Sequence, residues 1–423
     1  MGPIITEWGS LLLRWTHVIT AIAWIGASFY FMHLDASIRP GGGIPPGKGG
    51  AAWEVHGGGF YEVRKYLVAP EQLPEHLIWH KWQSYMTWVS GFCLLIWIYY
   101  GQASLYLIDP SVLALSPIAA AACGIFGLAL GWIVYDQLCK SPLGKNDVAL
   151  AGVVFAFVIL AAFVFQHIFS GRGALNHTGA LMATMMTGNV FFVIIPNQKK
   201  VMAALIAGRE PDPMLGKTAK QRSTHNNYLT LPVLFLMLSN HYPLTYSTPF
   251  AWVIVALVLV TGTVIRHYYN VTHAEQGNPW WAWAVAAVCI VLAAWLSAAT
   301  APGTSEVLGR LHFVSLSYGA EAVSPTAAAG APKAESKQQL LDDASMIIMS
   351  RCSMCHAAQP VWDGIGIAPK GVRLDSPENI RREAPAIRNW AVLTHAMPPN
   401  NLTEMTDEER ATVAAWLKSL NSG

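Results

Sequence analysis

Charge is what this 423-residue chain has least of: Asp, Glu, Lys and Arg make up 12% of it, against 53% hydrophobic residues. A water-soluble globule is hard to build from the first 300 residues on that composition. The net charge of +2 is unremarkable, and neither a basic patch nor an internal repeat stands out, so no nucleic-acid partner is expected. Cysteine is scarce too. Of six, Cys93, Cys123, Cys139 and Cys289 lie in or at the ends of apolar runs without metal-like spacing and read as packing residues.

What the chain has instead is long apolar runs and 17 tryptophans. The runs fall at about 10–34, 77–100, 115–138, 148–169, 176–198, 225–242, 249–270 and 279–300, each near the length a bilayer requires. The expectation is an all-α fold: a polytopic membrane bundle of eight transmembrane helices over residues 1–300, then a small helical domain. The connections after runs 1, 3, 5 and 7 carry Arg39, Lys48, Arg64, Lys65, Lys140, Lys145, Lys199, Lys200, Arg209, Lys217, Lys220, Arg222 and Arg266. Those after runs 2, 4 and 6 carry Arg172 alone, so the positive-inside rule places both termini away from the cytoplasm. No basic residue precedes the first run, which favours a retained helix over a cleaved leader.

The other two cysteines form Cys352-Ser353-Met354-Cys355-His356. Two thiols at this spacing can make thioethers to both vinyl groups of one porphyrin, and the adjacent imidazole can ligate its iron, so the motif predicts a covalent haem c and electron transfer. A zinc or dithiol site is the alternative, but zinc needs two further ligands nearby. Met397, in His395-Ala396-Met397-Pro398-Pro399, is the expected sixth ligand; Met346, Met349 and Met354 crowd the attachment helix, and Met405 lacks the proline frame. A closing helix from Asp407 to Leu420, N-capped by Thr406, puts Val413, Trp416, Leu417 and Leu420 on one face. Residues 337–423 thus resemble a class I cytochrome c, and 301–336, rich in small residues and proline, read as a tether. Haem c is attached outside the bacterial inner membrane, so a multi-pass protein with a periplasmic N-terminus and haem segment agrees with the charge asymmetry.

Histidines in membrane helices are costly and suggest function. His17, His167, His177 and His241 fall toward the expected periplasmic half, and His33, His80, His225 and His267 toward the other. Facing pairs could hold haem b, His17, His80, His167, His177, His225, His241 and His267 being the candidates. Most sit near helix ends, where water satisfies an imidazole as well. Two polar clusters are less usual: Trp53-Glu54-Val55-His56-Gly57-Gly58-Gly59-Phe60-Tyr61, and Arg222-Ser223-Thr224-His225-Asn226-Asn227. Either could stack on and hydrogen-bond a planar, heteroatom-rich molecule, or be an interfacial loop and a helix cap.

Trp53 to Tyr61, Lys65 to Pro70, His177 to Asn197 and His225 to His241 together resemble the membrane-bound, cytochrome c-linked urate oxidase (urate hydroxylase) family. The resemblance implies oxidation of urate to 5-hydroxyisourate without hydrogen peroxide. Electrons would pass through haem c to a membrane or periplasmic acceptor such as a cytochrome or terminal oxidase. Urate is mostly a monoanion at neutral pH, so Trp53, Arg222, Asn226 and Asn227 are the substrate-binding candidates. His56, Glu54 and His225 are the candidate bases. A quinol or other small-molecule dehydrogenase with the same outlet, or a non-enzymatic conduit or transporter, are the competing readings.

Overall fold

The computed structural model describes residues 2–67, 70, 74–301, 337–363 and 365–420. The expected tether, 301–336, lies outside the described residues apart from Ala301. The first part runs α1 (Gly2–Ser37), a hairpin of β1 (Gly49–His56) and β2 (Gly59–Tyr66), then α2 (Trp82–Leu94), which continues as a π turn over Leu95–Tyr100. There follow α3 (Ala103–Tyr106), α4 (Pro117–Lys140), α5 (Asp147–Gln166) and α6 (Gly171–Gly188). A second π turn, Asn189–Ile194, joins α6 to α7 (Ile195–Ile206), and α8 (Pro213–Ser239), α9 (Ala251–His273) and α10 (Trp281–Ala299) complete the bundle.

Among the described residues six helical stretches are long and apolar enough to cross a membrane: α1, α4, α5, α6 with α7, α9 and α10. Eight were expected. The runs at 77–100 and 225–242 are helical but fall outside this set, because α2 is only 13 residues long before the π turn and α8 opens with Lys217, Lys220, Arg222, His225, Asn226 and Asn227.

The bundle has an apolar core, exposes many large apolar side chains and buries several polar ones. Ile118, Phe126 and Ile133 of α4 and Val288, Ile290 and Val291 of α10 are exposed, whereas Asn176, His177, Asn189, Arg222, Asn226 and Asn227 are buried. An apolar exterior with the costly polar groups gathered inside is compatible with a lipid solvent. Helix α6 is the axis, packed by α2, α4, α5, α8 and α9. Small residues let it approach α4: a Cβ on Gly131 would stand 1.8 Å from Leu181, and one on Gly188 would stand 2.4 Å from Trp132.

The hairpin corrects the all-α expectation. Its strands pair antiparallel, Trp53 opposite Glu62 and Glu54 opposite Tyr61. Gly57 and Gly58 both take positive φ (59° and 81°), as a two-residue hairpin turn requires, so the stretch offered as an interfacial loop is a hairpin. Asp35 of α1 ties it down, meeting Lys65 of β2 at 2.6 Å and Lys220 of α8 at 2.5 Å.

Residues 337–420 build a second core. Helix α11 (Lys337–Cys352) packs on α14 (Asp407–Ser419), with α12 (Pro377–Arg382), α13 (Ala384–Ile387) and a π turn (Arg388–Leu393) between them in sequence. Leu341, Ile348, Ile380, Val413 and Trp416 fill it. The Thr406 cap is realised as a reciprocal capping box with Glu409, whose carboxylate also pairs with Arg351 of α11 at 2.9 Å. Leu420, expected on the buried face, is exposed. Asn400 reaches back to the bundle, its amide nitrogen donating to the carbonyls of Ser104 and Leu105, both at 3.3 Å.

Candidate functional site

Three helices bring polar groups together inside the bundle. Helix α4 ends in Tyr135 and Asp136, the π turn after α6 begins at Asn189, and α8 supplies Arg222, His225 and Asn226. Arg222, 1% exposed, donates through Nη2 to Asp136 Oδ1 (2.8 Å) and through Nη1 to Asn189 Oδ1 (3.0 Å). Asn189 Nδ2 donates to the Tyr135 hydroxyl and to Asn226 Oδ1, each at 2.8 Å. The Tyr135 hydroxyl also lies 2.8 Å from His225 Nδ1. Lys140, one turn on from Asp136, meets its second carboxylate oxygen at 2.5 Å. The Arg222 guanidinium lies 5.1 Å from the Tyr135 ring centre, a cation–π distance. Trp132 stacks on Phe192 with centroids 5.6 Å apart, adding flat apolar surface beside Tyr135. Arg222 Nε has no partner, so a buried donor remains.

Of the substrate residues expected from sequence, Arg222 and Asn226 meet here, with His225 at the edge. Asn227 points elsewhere, accepting from Asn270 Nδ2 at 3.0 Å and Arg266 Nε at 3.4 Å on α9. Trp53 and His56 lie on the hairpin, Trp53 being 70% exposed, and Glu54 accepts a 2.7 Å bond from the Tyr30 hydroxyl. Among the described residues no hydrogen bond or ring contact joins these three to Arg222, Asn226 or His225. Tyr135, Asp136 and Asn189 were not anticipated. The available signal was an acid inside an expected membrane run, a costly placement that asks for a buried partner.

The other histidines are spread through the bundle. His17 of α1 sits against α2, its Nδ1 3.0 Å from the Thr87 carbonyl and 3.1 Å from Ser90 Oγ. His177 is fully buried and uses both nitrogens within the protein: Nδ1 donates to the Gly173 carbonyl (2.9 Å), and Nε2 accepts from the Tyr100 hydroxyl (3.2 Å). His167 Nδ1 bonds the Phe163 carbonyl (2.8 Å), His80 Nδ1 faces Gln83 Nε2 (3.4 Å), His267 lies beside Trp281 and His241 is exposed. His177 as placed offers no free nitrogen to a haem b iron. His33 and His273 meet ring to ring at 4.3 Å, a pairing that sequence did not suggest.

In the second core, Cys352 closes α11 and the chain turns at once, the amides of Cys355 and His356 both donating to the Cys352 carbonyl. Both cysteines are free thiols. Burial pushes the Cys352 thiol up to about 12. His356 Nδ1 donates to the Val372 carbonyl (3.0 Å), which fixes the ring and leaves Nε2 for a metal. Burial also holds that imidazole below its usual value, hence neutral near pH 7. Met397 is half-buried against the same core; its amide donates to the Trp390 carbonyl (2.8 Å) and its carbonyl accepts from the buried Arg410 (2.9 Å). Arg410 also bonds the Ala391 carbonyl and Asn401 Oδ1 (3.2 Å), so one guanidinium shapes the methionine loop. Among the described residues no three His, Cys, Asp or Glu side chains converge as ligands of a bare metal ion. Two thiols, a braced imidazole and a methionine on a braced loop are the residue types that fit haem c. Met405 is buried in the core.

Residues 3–297, the hairpin and the whole bundle, match the family model described as urate oxidase N-terminal. No curated protein and no solved structure matches the chain.

Proposed function

The chain belongs to the urate oxidase N-terminal family, and on that premise we propose that it is a membrane urate hydroxylase of the cytochrome c-linked type. The reaction would be urate monoanion plus water to 5-hydroxyisourate, releasing two electrons and one proton. The observation that carries this reading is the buried network of Arg222, Asn189, Asn226, Tyr135 and His225 within the matched segment. A guanidinium with an unspent Nε donor, oriented amides and the Trp132–Phe192 stack suit a flat anion rich in heteroatoms.

Cys352 and Cys355 would hold the haem covalently, and His356 and Met397 are the residues that would serve its iron. When bound, a haem c would supply one-electron transfer. The protein's own contribution there is to keep His356 neutral and oriented and to brace Met397 through Arg410. Asn400, three residues past Met397, bonds the connection after α2, which the charge asymmetry puts on the same outer side as the haem segment. The bundle is thus read as the inner-membrane, urate-oxidising unit, delivering electrons outward to a cytochrome or terminal oxidase.

Anaerobic addition of urate to the purified holoprotein should raise the reduced haem c absorption band, while quinol should not. A haem that stays oxidised with urate and reduces with quinol would move the assignment to a quinol dehydrogenase; reduction by neither would favour a conduit or transporter. A pyridine haemochrome spectrum decides whether haem b accompanies haem c.

A further inference from the structure

The network around Arg222 has a direction. A guanidinium only donates, so Asn189 must turn its amide oxygen toward Arg222 Nη1 and its nitrogen away. That nitrogen donates to both the Tyr135 hydroxyl and Asn226 Oδ1. Asn226 is oriented in the same sense, its own nitrogen donating to the Met186 carbonyl at 2.9 Å. With its oxygen accepting from Asn189, Tyr135 has its proton to spend on its other neighbour, His225 Nδ1 at 2.8 Å. The reverse arrangement, Nδ1–H donating to Tyr135, would leave the hydroxyl proton only the Cys139 thiol, a weak acceptor, and is the costlier one. His225 is therefore held with its ring proton on Nε2, and among the described residues nothing bonds that nitrogen.

We propose that Asp136, Arg222, Asn189 and Tyr135 form a positioning relay that presents His225 to the substrate as an N–H donor. His225 then recognises acceptor atoms of the bound anion and does not abstract its proton. The inference rests on the urate reading above and deepens it. Asp136 fixes Arg222, Arg222 fixes the Asn189 amide, Asn189 fixes the hydroxyl, and the hydroxyl fixes the imidazole tautomer. Tyr135 and Asn189 are positioning residues; His225 meets substrate, beside the free Nε donor of Arg222. The ligand class this selects is a planar anion carrying carbonyl or ring-nitrogen acceptors.

The test is steady-state urate oxidation by full-length holoprotein, with haem content checked in every variant. His225→Ala should raise KM about tenfold, the worth of one hydrogen bond to a charged partner. His225→Gln, whose side-chain amide places an N–H near the position of Nε2, should recover most of that loss. Tyr135→Phe keeps the ring beside Arg222 and should raise KM several-fold in the wild-type background. In the His225→Gln background, where there is no tautomer to select, it should cost much less. If His225→Gln is as impaired as His225→Ala, or if Tyr135→Phe costs the same in both backgrounds, the relay is overturned. Wild-type protein that does not oxidise urate overturns the functional reading beneath it, a result recognisable before any variant is made.

Discussion

Arg222 is buried against Asp136, and at such a pair removing one partner costs more than the pair is worth, because the other charge is stranded. Arg222→Ala should therefore destabilise the bundle by about 3–5 kcal/mol, read as a lower melting temperature in detergent. Arg222→Lys keeps the charge but loses the fork that serves Asp136 and Asn189 together, and should melt between the two. Asp375 gives a pH signature outside the membrane. The Ala358 amide, donating at 2.7 Å, and then Arg373 hold its carboxyl down to about 2. A depressed carboxylate stabilises the fold above its ordinary value near 4 and loses that contribution as pH falls toward 2. Melting temperatures of the full chain between pH 2 and 5 should fall less steeply for Asp375→Asn than for wild type. Legibility at this scale follows locality. Cys352, Cys355 and His356 declare themselves because one turn of chain contains the chemistry, and Arg222 and Asn226 because they stand one helical turn apart. Tyr135, Asp136 and Asn189 join them only through the packing of three helices, which no spacing encodes.

Helices were the most readable elements, since a bilayer-length apolar run leaves the backbone few other ways to satisfy its hydrogen bonds. The hairpin was not, because three consecutive glycines suit a loose loop and a tight turn equally until the strands pair. Helix α14 was read nearly whole from its cap and stripe, and its energetics can be checked. Thr406→Ala removes the acceptor for the Glu409 amide and should cost about 1 kcal/mol, whereas Trp416→Ala empties a fully buried site and should cost about 3–5 kcal/mol. Thermal melts of the holoprotein should rank them in that order. Between α8 and α9 the fit is close: a Cβ on Gly262 would stand 2.4 Å from Pro232. Gly262→Leu should part these helices and lower the yield of folded protein.

For the molecule as a whole, the proposed orientation has a direct readout. Val112→Cys, in the connection that receives the haem segment, should react with an impermeant thiol reagent applied from the periplasmic side. Glu210→Cys, in the basic connection after α7, should react only after the inner membrane is opened. The opposite pattern would put the haem segment in the cytosol and end the electron-outlet reading. Charge asymmetry supports this orientation, and the Asn400 contact ties the haem segment to the same connection that Val112 reports on.

The π turn that opens at Asn189 adds a residue to what would otherwise be one unbroken helix from α6 into α7. Deleting a single residue between Val190 and Ile194 would let a regular spiral close there, holding the two flanks near their present bearings while re-aiming the side chains of the turn itself. Asn189 and the Trp132-facing Phe192 could not then both keep their present bearings. A chain one residue shorter in this stretch should still insert and take up haem, yet be blind to urate.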